Sequence, residues 1–284
     1  MSSVDTLTLV YVLGPGHCGS TLLNLLLNGH SNIIGLSEVQ QLGLHDNPLK
    51  KTTDEQFWQK TLSCYDQELG ESGSTKLDID VPYKSYKKLL RVRENEVRRW
   101  VNKNEKLLEC VSKISSCDII VDTSKRWQRL YLLHKFSDLN IKVVHLVRDG
   151  RAVTYSYYKK YNDLRGIKRW VKSSIYAAYL QTSFCDSHWL KTKYELMATK
   201  TEQVLYNLCS FLGVTYERKM LQYREARNVT VGGNRMRHRS DNDITLDDSW
   251  KQELKWKHEM FFNLAAGWIN RLHGYRFQSS RSEV

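Results

Sequence analysis

The chain has 284 residues, 41% of them hydrophobic and 26% charged, with a formal charge of +12 at pH 7. That length supports one large domain or two small ones around a substantial core, and the basic balance favours an anionic partner, substrate or surface without saying anything of fold. Six cysteines without CxxC spacing, no secretory leader and no apolar run near the length of a membrane span lead us to expect a cytoplasmic protein with no zinc site and no membrane partner.

Leu7 to Gly29, LTLVYVLGPGHCGSTLLNLLLNG, is the most informative stretch. Leu7 to Leu13 is a nearly unbroken apolar run of β-favouring residues and predicts a strand buried on both faces. Gly14 to Gly19 is a glycine-rich turn. Ser20 to Asn28, with leucines at 22, 23, 25, 26 and 27, predicts a buried helix stopped by Gly29. Strand, glycine loop and helix make an anion cradle, because glycines let backbone N–H groups approach a ligand and a helix N-terminus adds partial positive charge. Gly14 and Gly19 have the spacing of a nucleotide-triphosphate P-loop, but Ser20 stands where that motif carries its lysine. ATP or GTP hydrolysis is therefore disfavoured. An inert turn is the plain alternative, and three glycines followed by Ser-Thr are a costly way to make one.

Asn32 to Leu36 predicts a second strand ending at Ser37-Glu38, which places Glu38 at the mouth of the sheet, where open α/β folds bind ligands. A solvated glutamate opening a loop is the even alternative. Residues 45–115 differ in character and read as a helical insertion covering an acceptor pocket. His45 to Gly73 is polar with scattered aromatics at Phe57, Trp58 and Tyr65. Tyr83 to Cys110 predicts a helix with apolar positions at Leu89, Leu90, Val97, Val101, Leu107 and Leu108. Its cations, including Lys84, Lys87, Lys88 and Arg91, are interrupted by Glu94, Glu96, Glu105 and Glu109, which favours a solvated face over a nucleic-acid surface.

Asp118 to Val121 predicts a third strand, running into Asp122-Thr123-Ser124-Lys125-Arg126. Asp122 looks like a Walker B carboxylate without its partner lysine. Lys125 is a cation placed to meet charge on a bound anion, against the ordinary reading of an exposed lysine. Ile141 to Val147 predicts a fourth strand, followed by Arg148-Asp149-Gly150 and a helix carrying Ser156. Arg148, a bidentate fork, and Ser156, a hydroxyl donor, are able to converge on one phosphate. Trp250 to Leu272 predicts a last helix whose Trp256, Phe261, Phe262, Leu264, Ala265 and Trp268 are expected to pack in the core. His258 and His273 lack a second ligand at metal spacing, and the residues after Phe277 are expected to fray.

Together these motifs resemble the PAPS-dependent sulfotransferases. GHCGSTLL at 16–23 is similar to the 5′-phosphosulfate loop of that family, and LVRDGRAVTYSYY at 146–158 is similar to its 3′-phosphate motif. Tyr194-Glu195, followed by an amphipathic stretch and FLGV at 211–214, is similar to a segment whose tyrosine lies near the adenine. GGNRMR at 232–237 is similar to a mobile cofactor-closing loop. The resemblance implies one domain over residues 1–284 with a P-loop-like α/β fold, a mostly parallel central sheet flanked by helices. It implies that Gly16, His17, Cys18, Gly19, Ser20 and Thr21 hold the 5′-phosphosulfate and that Arg148 and Ser156 hold the 3′-phosphate. Tyr194, Gly233, Asn234, Arg235 and Arg237 would complete the cofactor site, and Lys125 would meet the bridging oxygen of the leaving group. Glu38 stands where protein-tyrosine and some bacterial members place their base, with His17 as its rival.

The chain also departs from the family pattern. His17 replaces the usual Lys or Arg; a protonated imidazole, near or below a reference pKa of about 6.5, would restore the charge. Cys18 replaces a serine, which leaves the backbone N–H. Arg126-Trp127 follow Lys125 where the cytosolic phenol and steroid enzymes carry an acceptor histidine, so that branch is not the match. The implied activity is transfer of a sulfuryl group from PAPS to a hydroxyl, less readily an amine, of a small molecule such as a natural product. It releases PAP and needs no metal and no nucleic acid. The acceptor is not legible in any residue; a guanidinium alkaloid of the saxitoxin kind is one candidate. A P-loop-like kinase with a displaced lysine, marked by Mg·ATP consumption, and a non-enzymatic nucleic-acid-binding protein, marked by the basic 84–106 helix, are the alternatives.

Overall fold

The computed structural model of the chain describes residues 7–44, 49, 52–70, 77–82, 93–233 and 243–276. Strands β1 (Thr8–Leu13), β2 (Ile33–Ser37), β3 (Ile119–Asp122), β4 (Asn140–Val147) and β5 (Trp189–Lys193) form one parallel sheet in the order β2-β3-β1-β4-β5. The first four stand where apolar runs predict them, within a residue at each end. β5 has no such run: WLKTK pairs only with β4, and Trp189 is its one buried residue. Beyond Trp189 this strand is only partly buried or exposed and needs no continuous apolar sequence, unlike β2, which lies at the other edge yet is buried throughout.

Among the described residues the helices are α1 (Ser20–Asn28), α2 (Glu55–Leu69), α3 (Glu94–Ser115), α4 (Trp127–Phe136), α5 (Gly150–Tyr161), α6 (Arg165–Gln181), α7 (Tyr194–Thr199), α8 (Thr201–Leu212), α9 (Trp250–Glu253) and α10 (Trp256–Leu272). Side chains alternate across β1 and divide between two layers. Leu9, Tyr11 and Leu13 join one core layer with α2, α3 and α4, whereas Val10 and Val12 join another with α1, α7 and α8. This covering of both faces is why β1 reads as an unbroken apolar run.

The described part of the 45–115 segment belongs to the first layer. Phe57 and Trp58 of α2 are fully buried beside Leu9, and Trp58 Nε1 donates to Val229 O at 2.8 Å. The helix expected over Tyr83–Cys110 begins at Glu94 and runs on to Ser115; residues 83–92, with Lys84, Lys87, Lys88 and Arg91, lie outside the described residues. Along α3 the cations pair with carboxylates, Arg98 with Glu94 at 2.7 Å and Lys106 with Glu109 at 2.7 Å, as a solvated face requires.

The last helix departs from expectation. α10 buries Glu259, Phe262, Ala266, Ile269 and Asn270, which form one helical stripe. Trp256, Phe261, Leu264 and Trp268, expected in the core, are 54%, 53%, 78% and 62% exposed, and Ala265 is exposed as well. Two apolar stripes run along this helix, and only one meets the protein; an apolar count that does not separate them merges the two.

All five strands run the same way, so their C-terminal ends share one edge of the sheet. Gly14–Gly19, Ser37-Glu38, Thr123–Arg126, Arg148-Asp149 and Tyr194-Glu195 all leave from it.

Candidate active site

The loop after β1 is built by close approach. A Cβ on Gly14 would lie 2.4 Å from Leu146 O, and one on Gly16 would lie 2.3 Å from Tyr157 Oη. Gly19 caps α1 at φ 92 with no side-chain hydrogen bond, so the partly positive end of the helix faces the loop. Ser20 is buried at this end of α1. The Cys18 thiol is fully buried in the core layer of α1, and burial pushes its pKa up. The side chain belongs to the core, and only the Cys18 N–H is available to an anion.

Lys125 crosses from the end of β3 to this loop. Its Nζ donates to Glu38 Oε1 at 2.7 Å, to Thr123 O at 2.9 Å and to Ser20 Oγ at 3.2 Å. Glu38 also accepts from Gln41 Nε2. Burial raises the Glu38 carboxyl, but the Lys125 charge and the hydrogen bonds from Lys125 and Gln41 outweigh it and hold the pKa below the usual carboxylate value. Glu38 is therefore ionised at neutral pH. Among the described residues five non-glycines have positive φ. Ser116 and Asn162 cap helices; His17 (φ 62), Ser37 (φ 62) and Lys125 (φ 60) all line this site. Such backbone strain persists where the surroundings enforce it, commonly at functional sites.

His17 stands edge-on to Tyr157, ring centroids 4.7 Å apart. Burial, then the charges of Lys160, Arg148, Lys125 and Arg169, lower its pKa to about 4. The imidazole is neutral in the protein alone, so the charge expected from protonation near 6.5 is not restored. Lys160 and Arg169 escaped the sequence reading. Arg169 lies over Tyr157, 5.3 Å from the ring centroid, and Lys160 is one helical turn beyond Ser156 on α5. The i, i+4 spacing of Ser156 and Lys160 was the available signal.

Arg148, 6% exposed, donates from Nη1 to His17 O at 2.9 Å and from Nη2 to Asp247 O and Oδ2 at 2.9 and 3.0 Å. Its guanidinium stacks 4.3 Å from the Tyr194 ring centroid, and its Nε is buried with no hydrogen-bond partner among the described residues. Tyr194 thus forms the floor under Arg148, packs against Gly19 and accepts the Asp247 N–H at 3.2 Å. Asp247 is a second residue that sequence reasoning missed. Ser156 is half-buried and donates to Ala152 O at 3.0 Å within its own helix; no hydrogen bond joins it to Arg148.

Gly233, at φ 90, is carried to the loop by Val231, which bridges Ser37 and accepts the Glu38 N–H at 3.0 Å. A Cβ on Gly233 would lie 3.2 Å from Ser37 Oγ and 3.8 Å from Thr21 Oγ1. Asn234, Arg235 and Arg237 lie outside the described residues. Asp122 has no Walker B role open to it. One of its oxygens accepts from Arg129 Nε and the other from the Ser124 N–H, both at 2.8 Å, and it is fully buried.

Residues 10–218 match the model of the sulfotransferase family. The chain belongs to that family. Solved structures of similar fold include the sulfotransferase domain of a Synechococcus olefin synthase, 20% identical, TM-score 0.62, over 95% of this chain and 96% of that one. The sulfotransferase domain of the curacin biosynthetic pathway is 19% identical, TM-score 0.56, over 95% and 98%. A mouse sulfotransferase complexed with PAP is 11% identical, TM-score 0.50, over 96% and 88%. At these identities the likeness shows the fold, the P-loop-like α/β fold of the sulfotransferases. A search of curated proteins finds no match in sequence. Among the described residues of this sulfotransferase no helix is long and apolar enough to cross a membrane, and no group of three or more His, Cys, Asp and Glu is placed to hold a metal ion.

Proposed function

We propose that this sulfotransferase moves a sulfuryl group from PAPS to a hydroxyl of a small molecule and releases PAP. The observation that carries the reading is the meeting of Lys125, Ser20 and Glu38 at the end of the glycine loop, with Lys125 Nζ 2.7 Å from Glu38 and 3.2 Å from Ser20. One point thereby holds a cation, an anion-loop hydroxyl and a carboxylate. The residues present fit a nucleotide with a second phosphate. The glycine loop ends at the N-terminus of α1, where helices bind anions, and the buried Arg148 has an Nε with no hydrogen-bond partner among the described residues. The PAP held by the mouse relative supports the same donor.

When bound, PAPS supplies a sulfuryl group already joined to a phosphate leaving group. The N–H groups of Gly16 to Gly19, with Ser20 and Thr21, bind the phosphosulfate; Arg148, Ser156 and Lys160 bind the 3′-phosphate; Tyr194 keeps Arg148 in place. Lys125 has three ammonium protons and three partners, and it exchanges one partner for the leaving oxygen, where negative charge grows in a loose in-line transfer. His17, neutral, adds one N–H donor. Glu38 accepts the proton of the acceptor hydroxyl, a role that contributes roughly 10² to 10⁴-fold. As Lys125 turns towards the donor, Glu38 loses part of the charge that depresses its pKa and becomes a stronger base. Thr52 of the 45–115 segment bridges Val231, which also bridges Ser37 and accepts the Glu38 N–H, and we assign that segment to the acceptor side. A natural product is the acceptor class we favour, in keeping with the curacin-pathway relative.

Thermal shift with PAP, ADP and Mg·ATP at equal concentration tests the reading. PAP at about 100 times Kd should add roughly 2.7 kcal/mol, a rise of a few degrees in Tm, with little from ADP. A shift with Mg·ATP alone would hand the site to a kinase, and no shift with PAP would overturn the proposal.

A further inference from the structure

We infer that α10 is the interface of a homodimer, in which the exposed apolar ridge of one copy packs on the same ridge of a second. Trp256, Met260, Leu264, Trp268 and Leu272 occupy five successive i, i+4 positions and are 54%, 49%, 78%, 62% and 71% exposed; Phe261 flanks them at 53%. Single exposed hydrophobics are ordinary, but a continuous ridge along a helix of 17 residues is not. The helix is firmly seated on its other side. Glu259 pairs with Arg151 at 3.5 Å, Asn270 Oδ1 accepts the Gly150 N–H at 3.0 Å, and Phe262 packs edge-on against Trp170. The ridge is thus presented by a fixed element.

Its area is that of an interface. Aromatic side chains bury about 150–250 Å² each, so two tryptophans and a phenylalanine at these exposures, with the three aliphatics, present on the order of 600–800 Å². The largest patch on an ordinary monomer is about 300–600 Å², and a stable standard-size complex takes about 800 Å² from each partner. Of residues 277–284, FQSSRSEV, only Phe277 and Val284 are apolar, too few side chains to match a ridge of six.

The ridge is self-complementary. Rows of i±4 side chains on two identical helices interdigitate at a crossing angle of about −50°, with axes about 8–10 Å apart. Gly267, in the middle of α10, leaves a notch beside this row: a Cβ there would meet only Asn263, at 3.7 Å. The notch sits beside Leu264 and Trp268, so knob and hole lie on the same surface, as a two-fold interface requires. Each copy carries a formal charge of +12, so association driven by this ridge works against repulsion and should tighten as salt screens it. An anionic membrane or an acidic protein bound through the flanking Lys255, Lys257 and Arg271 would show the opposite dependence.

Sedimentation of the full chain at micromolar concentration, at low and high salt, tests this, with Leu264→Glu and Leu272→Glu as variants. We expect twice the 33.3 kDa chain mass, association at least as tight at high salt, and a shift to monomer, with Kd raised at least about tenfold, in both variants at unchanged circular dichroism. A wild-type monomer across the concentration range would overturn the inference, as would variants that fold and still dimerise. Binding to phosphatidylserine vesicles that salt abolishes, with no dimer in their absence, would overturn it in favour of a membrane surface.

Discussion

Lys125 illustrates how much a single position decides at the residue scale. Its ammonium is committed to Ser20, Glu38 and Thr123, so its loss frees the Glu38 carboxylate and, in the mechanism we propose, also removes a donor to the leaving oxygen. Lys125→Ala is expected to lower kcat by about 10² to 10³, the usual cost of one donor to developing negative charge, while the PAP Kd stays within about twofold. Full turnover in that variant would remove Lys125 from the chemistry. Asp247 makes the opposite case. Its carboxylate sits on the Arg148 fork that a 3′-phosphate would use, and it is half exposed. Asp247→Asn should tighten PAP by about two- to fivefold, the worth of a partly exposed charge contact, and leave AMP, which has no 3′-phosphate, unchanged. Weaker PAP binding in the calorimeter would make Asp247 a support of Arg148 instead of its competitor. The difference between these two residues is also a difference in legibility. Gly16, Lys125, Arg148 and Glu38 each follow a strand of a parallel sheet, and chain order alone gathers them at one edge. Asp247, Lys160 and Arg169 follow no strand and reach the site only through packing. Cys18 lies in the loop yet points inward, an alternation that a loop sequence does not record.

At the scale of elements, the β3 tip depends on a buried ion pair that has nothing to do with a ligand. Arg129 and Asp122 are both fully buried and 2.8 Å apart; Arg129 Nη1 also donates to Ile79 O at 3.0 Å and to Asn104 Oδ1 at 2.6 Å. The pair joins α3, α4 and β3, and the second oxygen of Asp122 accepts the Ser124 N–H just before the Lys125 turn. Arg129→Met strands a buried carboxylate, and such a break costs about 3–5 kcal/mol. Urea unfolding should show the midpoint fall at unchanged m, and Asp122→Asn combined with Arg129→Met should recover part of the loss. A change below about 1 kcal/mol would mean that the buried pair contributes little net stability. Elements were legible where one interaction dominates their sequence. Four strands buried on both faces announce themselves by composition. β5 at the edge, the start of α3 at Glu94 and the two stripes of α10 did not, because what an element packs against fixes each of them.

Across the whole molecule, histidines lowered by burial make stability depend on pH: His145, His273 and His17 by the most, with His258 lowered as well. Burial is the first cause lowering His145 to about 3 and His273 to about 4, and His17 to about 4. His145 and His273 face each other with ring centroids 5.7 Å apart, His273 packs on Trp170 and hydrogen-bonds Ser174, and Lys191 and Lys193 are the nearby cations that oppose charging. In the unfolded chain each histidine binds its proton near 6.5, whereas in the fold it stays neutral until about 3 to 4. Between those values the unfolded state holds more protons, so stability rises with pH through this window and is lost on acidification. Each such histidine contributes at most about 1.4 kcal/mol per pH unit. Carboxylates depressed by their partners, such as Glu38, Asp247 and Glu217, lose their contribution only below the usual carboxylate range near 4.5, and Glu105, which burial raises, acts in the opposite sense, so a fall in stability from 6.5 to 5 is not theirs. Growing positive charge on an already basic chain acts in the same direction and has to be separated from them. Denaturant unfolding at pH 7, 6 and 5 should show a steady fall in stability, and His145→Leu should reduce the slope by up to about 1.4 kcal/mol per pH unit. An unaltered slope in that variant would assign the acid sensitivity to overall charge repulsion and not to the buried imidazoles.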